Sequence, residues 1–123
     1  MAGSIKNTFV LDASFVLSFL LNEGNNNVEK TILDYKEGKI NLVSSSLLAY
    51  EVGNGLRTGV LRKRLTGSQA ESLYKAFFEF EIPEESFNFP DVLKLALSKS
   101  ISFYDASYIN LAQTLSLKLL TLD

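Results

Sequence analysis

An α/β domain with a mostly parallel central sheet flanked by helices is the fold class this sequence predicts, and three features predict it. Short runs rich in β-branched and aromatic residues, such as Thr8-Phe9-Val10-Leu11, alternate with stretches whose apolar positions recur at helical spacing. Strands separated by helices of ten or so residues imply βαβ units, and so parallel pairing. The chain has 123 residues, with 46% hydrophobic and 21% charged, which is the size and balance of one globular unit able to bury its own core. Residues 1–123 are therefore expected to form a single domain, without internal repeat or linker.

Taken in order, Thr8 to Leu11 is expected as a buried strand. It stops at Asp12-Ala13-Ser14, where Asp or Ser can cap a following helix. Phe15 to Asn22 is apolar nearly all round, so that helix should be largely buried. After a loop or cap at Gly24 to Asn27, Val28, Ile32, Leu33 and Tyr35 repeat at helical spacing up to Gly38. Ile40 to Val43 is the second strand. Leu47 to Thr58 reads as a helix carrying Glu51 and Asn54, weakened by Gly53 and Gly55 at about 1 kcal/mol each relative to Ala. Thr66-Gly67-Ser68 leads into a helix over Gln69 to Phe78, with Ser68 and Glu71 at capping-box spacing. Phe80 to Ile82 is a short strand candidate before Pro83. Pro90 and Asp91 open a helix through Lys99. Tyr104 to Ser116 is the last helix and Lys118 to Leu122 the last strand.

Two blanks in the composition narrow the chemistry. Without cysteine there are no disulfides and no thiolate metal sites, and without histidine there is no Ser-His-Asp or Cys-His nucleophile. Zinc, which favours those two ligands, is disfavoured with them. A hydrolase built from this chain has to activate water with a carboxylate or an oxygen-ligated ion such as Mg²⁺ or Mn²⁺. The longest apolar stretch near the N-terminus, Phe15 to Leu21, is far short of the roughly 20 residues of a membrane-spanning helix, and Asp12 is foreign to a signal peptide. A cytoplasmic protein without membrane contact is expected. The net charge of −2 offers no global attraction to nucleic acid, so any such binding needs a local basic patch or a metal.

Four acids stand where a ligand site is expected. Parallel sheets bind ligands beyond the carboxyl ends of their strands, where strand order reverses. Asp12 follows the first strand, Asp123 the last; Glu51 lies about one turn into the helix after the second strand, and Asp105 starts the helix before the last. Asp12 and Asp105 also suit simple helix capping. Glu51 does not, because it sits within Leu47-Leu48-Ala49-Tyr50-Glu51-Val52, where an unpaired carboxylate is expensive. Carboxylates within about 4–6 Å raise one another's pKa unless a cation neutralises them. Such a cluster is poor structural design and good Mg²⁺ chemistry, and it suits phosphodiester cleavage.

These residues, in this order, resemble the PIN-domain family, and in particular VapC-like toxins of toxin–antitoxin pairs. The matching stretches are Val10-Leu11-Asp12-Ala13-Ser14, Tyr50-Glu51-Val52-Gly53-Asn54-Gly55-Leu56, Phe103-Tyr104-Asp105-Ala106-Ser107-Tyr108 and Leu120-Thr121-Leu122-Asp123. The resemblance spans essentially the whole chain and implies a PIN-like three-layer sandwich. It further implies a Mg²⁺- or Mn²⁺-dependent endoribonuclease, a homodimer, and a cognate antitoxin that silences it. By position, Asp12, Glu51, Asp105 and Asp123 would be catalytic and metal-binding, with Ser14, Asn54 and Thr121 as supporting polar residues. Members of the family usually continue past the last acid with a further short strand or helix, whereas this sequence stops at Asp123.

Other readings fit less well. A haloacid-dehalogenase-type phosphatase needs a second aspartate where Ser14 stands, and a response-regulator receiver needs a lysine after the last strand, whereas Lys118 lies within it. The serious alternative is a catalytically inactive PIN-like module that binds RNA or protein. Arg57, Arg62, Lys63 and Arg64 are expected to hold the RNA backbone beside the acidic pocket. Phe77, Phe78, Phe80, Phe87 and Phe89 crowd into thirteen positions, more than one helix face can bury, so part of them is expected in a dimer interface.

Overall fold

A computed structural model describes residues 7–123. The elements run β1 (Thr8–Leu11), α1 (Ala13–Leu20), α2 (Asn26–Lys36), β2 (Asn41–Ser45), α3 (Leu48–Leu61), α4 (Gly67–Glu79), β3 (Glu84–Glu85), α5 (Phe89–Lys99), α6 (Phe103–Leu115) and β4 (Lys118–Leu120). The strands form one sheet in the order β3-β2-β1-β4, and every pairing is parallel. The expected α/β class holds. Val10 stands opposite Val43 on one side and Leu119 on the other, so β1 is central and the order reverses across it.

Side-chain alternation along the strands divides the core in two. Leu11 and Leu42 join Val16 and Leu20 of α1, Ile32 of α2, Val52 of α3 and Phe77 of α4 in the larger cluster. Val10 and Val43 point the other way and meet Leu111 and Ala112 of α6. Helix α5 lies against α6, joined by Val92, Ala96 and Ala106. Helices thus cover both faces of the sheet, as a parallel sheet requires, and the expected three layers result. The glycines that weaken α3 mark close approaches: a Cβ at Gly55 would stand 2.3 Å from Leu17 Cδ1, and one at Gly53 2.9 Å from Tyr74 Oη. No helix among the described residues is long and apolar enough to cross a membrane.

Several expected boundaries need correction. The capping box before α4 is Thr66–Gln69, not Ser68–Glu71: Thr66 Oγ1 accepts from Gln69 N–H at 3.1 Å and Gln69 Oε1 accepts from Thr66 N–H at 2.9 Å. Phe80 to Ile82 is not a strand. Phe80 caps the end of α4, and the Tyr35 hydroxyl donates to the carbonyls of Phe80 and Glu81, so pairing with β2 begins only at Pro83, whose carbonyl accepts from Ser44 N–H at 2.9 Å. The last strand ends at Leu120 instead of Leu122, because hydroxyl oxygens take over the next amides: Leu122 N–H donates to Ser14 Oγ at 3.0 Å and Asp123 N–H to Thr121 Oγ1 at 3.1 Å.

The phenylalanines do not act as one surplus patch. Phe77 is buried, Phe80 is half-buried edge-on to Phe19 at 5.7 Å, and Phe87 packs against Phe89 and Phe103. Of the five, Phe78 and Phe89 are the large exposed apolar residues.

Candidate functional site

Each of the four acids reaches the same end of the sheet by its own local rule. Asp12 is the N-cap of α1, its carboxylate accepting from Phe15 N–H at 3.2 Å, and its own N–H donates to Leu120 C=O of β4 at 3.2 Å. Capping and site placement therefore coincide in one residue. Asp105 is not a cap. Ser102 caps α6, its hydroxyl accepting from Asp105 N–H at 3.0 Å, so Asp105 stands in the first turn. Glu51 lies in the first turn of α3, which lacks a side-chain cap. Asp123 follows β4, beside β1 and hence beside Asp12.

A cavity of about 230 Å³ opens at this rim, lined by Asp12, Asp105, Tyr108, Thr121 and Asp123 together with Ile101, Ile109 and Leu119. Glu51 borders it through Tyr108, whose hydroxyl donates to Glu51 Oε1 at 2.7 Å. Asp12 is buried and held from several sides. Ser14 Oγ donates to Asp12 Oδ1 at 2.6 Å, and Thr121 Oγ1 donates to Asp12 Oδ2. Ser14 also reaches Thr121 at 3.5 Å, so the segment leaving β4 is tied to the start of α1 by hydroxyls.

A second relay lies beneath. Ser107 Oγ donates to Tyr104 C=O at 2.7 Å, so its 3.0 Å bond with Ser45 Oγ takes its proton from Ser45. Ser45 Oγ in turn accepts from Leu47 N–H at 3.1 Å. Both serines are buried. This short chain fixes the start of α3 relative to the start of α6, and those two turns carry Glu51 and Asp105.

The electrostatics follow from crowding like charges in a partly dry setting. Burial raises the Glu51 pKa first; the Tyr108 bond opposes this, and Asp105, Asp12 and Asp123 raise it further. Burial, then Asp12 and Asp105, raise that of Asp123. The ion pairs among the described residues are Lys30–Asp34, Lys39–Glu37 and Arg64–Glu23, none involving these acids. The donor set is thus all oxygen, with surplus negative charge, which suits a hard divalent ion. Among the described residues no three acids already close into a metal cage. Mg²⁺ does not demand one, since it keeps several waters and takes one or two carboxylates.

The remaining sequence candidates divide. Asn54 is exposed on α3, one turn beyond Glu51. None of the four basic residues lines the cavity. Arg62 caps the C-terminal end of α3, eleven residues past Glu51, or about 16 Å along the helix axis. Lys63 and Arg64 follow it, Arg64 pairing with Glu23 at 3.2 Å; Arg57 lies between, exposed. Sequence reasoning does not single out Tyr108. Its spacing of three from Asp105, which puts both on one helix face, is the available signal.

A carboxyl with a raised folded pKa holds more protons folded than unfolded between its two pKa values. Stability therefore falls as pH rises through that window, and the full cost persists above it. Without metal, Glu51→Gln should stabilise the protein at pH 7 by about 0.5–2 kcal/mol, the usual return from relieving such a site. The gain should vanish near pH 4, where glutamate is largely protonated in both states. Urea unfolding in chelator at both pH values measures this. A Glu51→Gln variant less stable than the parent at pH 7 contradicts it.

A family model described as PIN domain matches residues 9–123. Ribonuclease VapC3 of Pyrobaculum aerophilum is 32% identical over 119 residues, spanning 93% of this chain and 88% of that protein. The crystal structure of PAE2754 from Pyrobaculum aerophilum superposes with a TM-score of 0.67 at 25% identity, covering 97% of this chain and 83% of that one. With an all-parallel sheet that reverses at β1 and the matching sequence running across it, this chain belongs to the PIN-domain family as a VapC-like member.

Proposed function

We propose that this protein is a Mg²⁺- or Mn²⁺-dependent endoribonuclease that hydrolyses RNA phosphodiester bonds, and that it is the toxin of a toxin–antitoxin pair. The observation that carries the reading is the convergence of Asp12, Glu51, Asp105 and Asp123, from four separate segments, on one rim with no basic side chain bonded to them among the described residues. The ribonuclease among its relatives supports it. A bound divalent ion would neutralise phosphate charge and lower the pKa of a coordinated water. Asp12, with both oxygens engaged by Ser14, Thr121 and Phe15 N–H, is the fixed member of the set. In a chain without histidine, proton acceptance from the attacking water falls to a carboxylate of this set.

Cleavage of single-stranded RNA in Mg²⁺ or Mn²⁺ tests this. Asp12→Asn should lower the rate at least about 100-fold while leaving the circular dichroism spectrum unchanged, and chelator should abolish cleavage by the parent. A folded Asp12→Asn variant that cleaves like the parent contradicts the reading and favours a non-catalytic binding module.

Arg57, Arg62, Lys63 and Arg64 would contact phosphates further along the strand, some nucleotides from the scissile bond, given their distance along α3. Neutralising Arg62, Lys63 and Arg64 together should weaken RNA binding and flatten its salt dependence by about two to three phosphate contacts. An unchanged slope assigns them to plain solvated surface.

A homodimer formed through α5 accounts for its outward face. Phe89, Leu93 and Leu97 recur every four residues and are 60%, 50% and 72% exposed, a contiguous apolar stripe. A cognate antitoxin would be a small protein that silences cleavage by inserting an amphipathic helix over such apolar surface. Light scattering at tens of micromolar should give the mass of two chains, and Leu97→Glu the mass of one. A monomeric parent protein sinks the dimer.

A further inference from the structure

The four acids are not held alike. Asp12 is short, buried and gripped by two hydroxyls and a backbone amide. Asp105 stands on a capped first turn. Glu51 is the one long side chain of the set, with three rotatable bonds, half-buried, its ionised form disfavoured by burial and by the charges of Asp105, Asp12 and Asp123. Left alone, such a carboxylate swings toward water. Among the described residues one side-chain bond opposes this: the Tyr108 hydroxyl, donated to Oε1 at 2.7 Å.

Tyr108 is itself anchored. It is 1% exposed and belongs to the main core cluster with Leu11, Leu48 and Val52, and it is also one of the residues lining the acidic cavity. The ring therefore has no freedom to follow Glu51; the glutamate has to come to it. The donor type matters as well. A lysine or arginine in this place would fix the carboxylate but cancel the charge a cation needs. A phenol fixes the geometry and leaves the charge in place.

We propose that Tyr108 is a positioning residue that restrains the Glu51 carboxylate at the rim shared with the other three acids, so that less ordering is left for a divalent cation to impose. This rests on the reading of the four acids as a metal site. Partners that orient a ligand without touching the metal typically contribute about 10–100-fold to metal affinity. Removing the one oxygen of Tyr108 keeps the ring, its packing and the core.

Mn²⁺ binding to the whole chain, followed by calorimetry and by the electron paramagnetic resonance of free Mn²⁺, tests the role. Tyr108→Phe should weaken Mn²⁺ about 10–100-fold, while its metal-free melting temperature stays close to the parent's. In a Glu51→Gln background the same change should have no further effect on Mn²⁺ affinity, because the group it positions is gone. Glu51→Asp, which withdraws the carboxylate by one methylene, should weaken Mn²⁺ comparably and serves if the Tyr108 variant does not fold. Parent-like affinity in folded Tyr108→Phe, or equal losses in both backgrounds, overturns the proposal. Should Asp12→Asn and Glu51→Gln also bind Mn²⁺ as the parent does, the metal reading itself fails and takes this role with it.

Discussion

Like charges brought together at the reversal point of a parallel sheet set the terms for the rest of this structure. Because β1 has β2 on one side and β4 on the other, the segments leaving β1 and β4 emerge side by side, and Asp12 and Asp123 emerge with them. The helices that begin near the same rim add Glu51 and Asp105 in their first turns. First-turn acids gain something from the helix dipole, typically below about 1 kcal/mol. That offset does not cancel the mutual repulsion and burial that raise the Glu51 and Asp123 pKa values. A protein selected for stability alone would not keep this arrangement, whereas one that binds a cation there has a use for it.

Neutral hydroxyls, not basic side chains, carry the local order. Ser14 and Thr121 hold Asp12, Tyr108 holds Glu51, Ser102 caps the turn of Asp105, and the Ser45–Ser107 relay joins the starts of α3 and α6. A hydroxyl can orient a carboxylate while leaving its charge available. The same hydroxyls end the last strand, since Ser14 and Thr121 accept from the amides of Leu122 and Asp123. Sheet termination and site construction are one event here.

Much of this is legible in the sequence. The β1 run Thr8–Leu11 and the helices from Asn26 and Phe89 announce themselves by periodicity and caps, and Asp12 and Asp123 stand out in the sequence by following strands. The misses have physical causes. Thr66 and Ser68 are both competent caps, and only the turn geometry decides for Thr66. Phe80 and Ile82 look like strand residues because they are apolar, yet they pack on the main core from the end of α4 and the loop beyond it. Gly53 and Gly55 look like weaknesses because the side chains that press against them, Tyr74 and Leu17, come from other helices. Tyr108 passes as an ordinary core aromatic, and for its ring that is correct; its hydroxyl acts elsewhere.

A single cation site built jointly from these carboxylates can be seen directly. Anomalous diffraction from crystals of the protein soaked in Mn²⁺ tests it most directly. A manganese peak is expected within coordination distance of Asp12 and at least one of Glu51, Asp105 and Asp123. A peak confined to another surface, or no peak at this rim at saturating Mn²⁺, would contradict it.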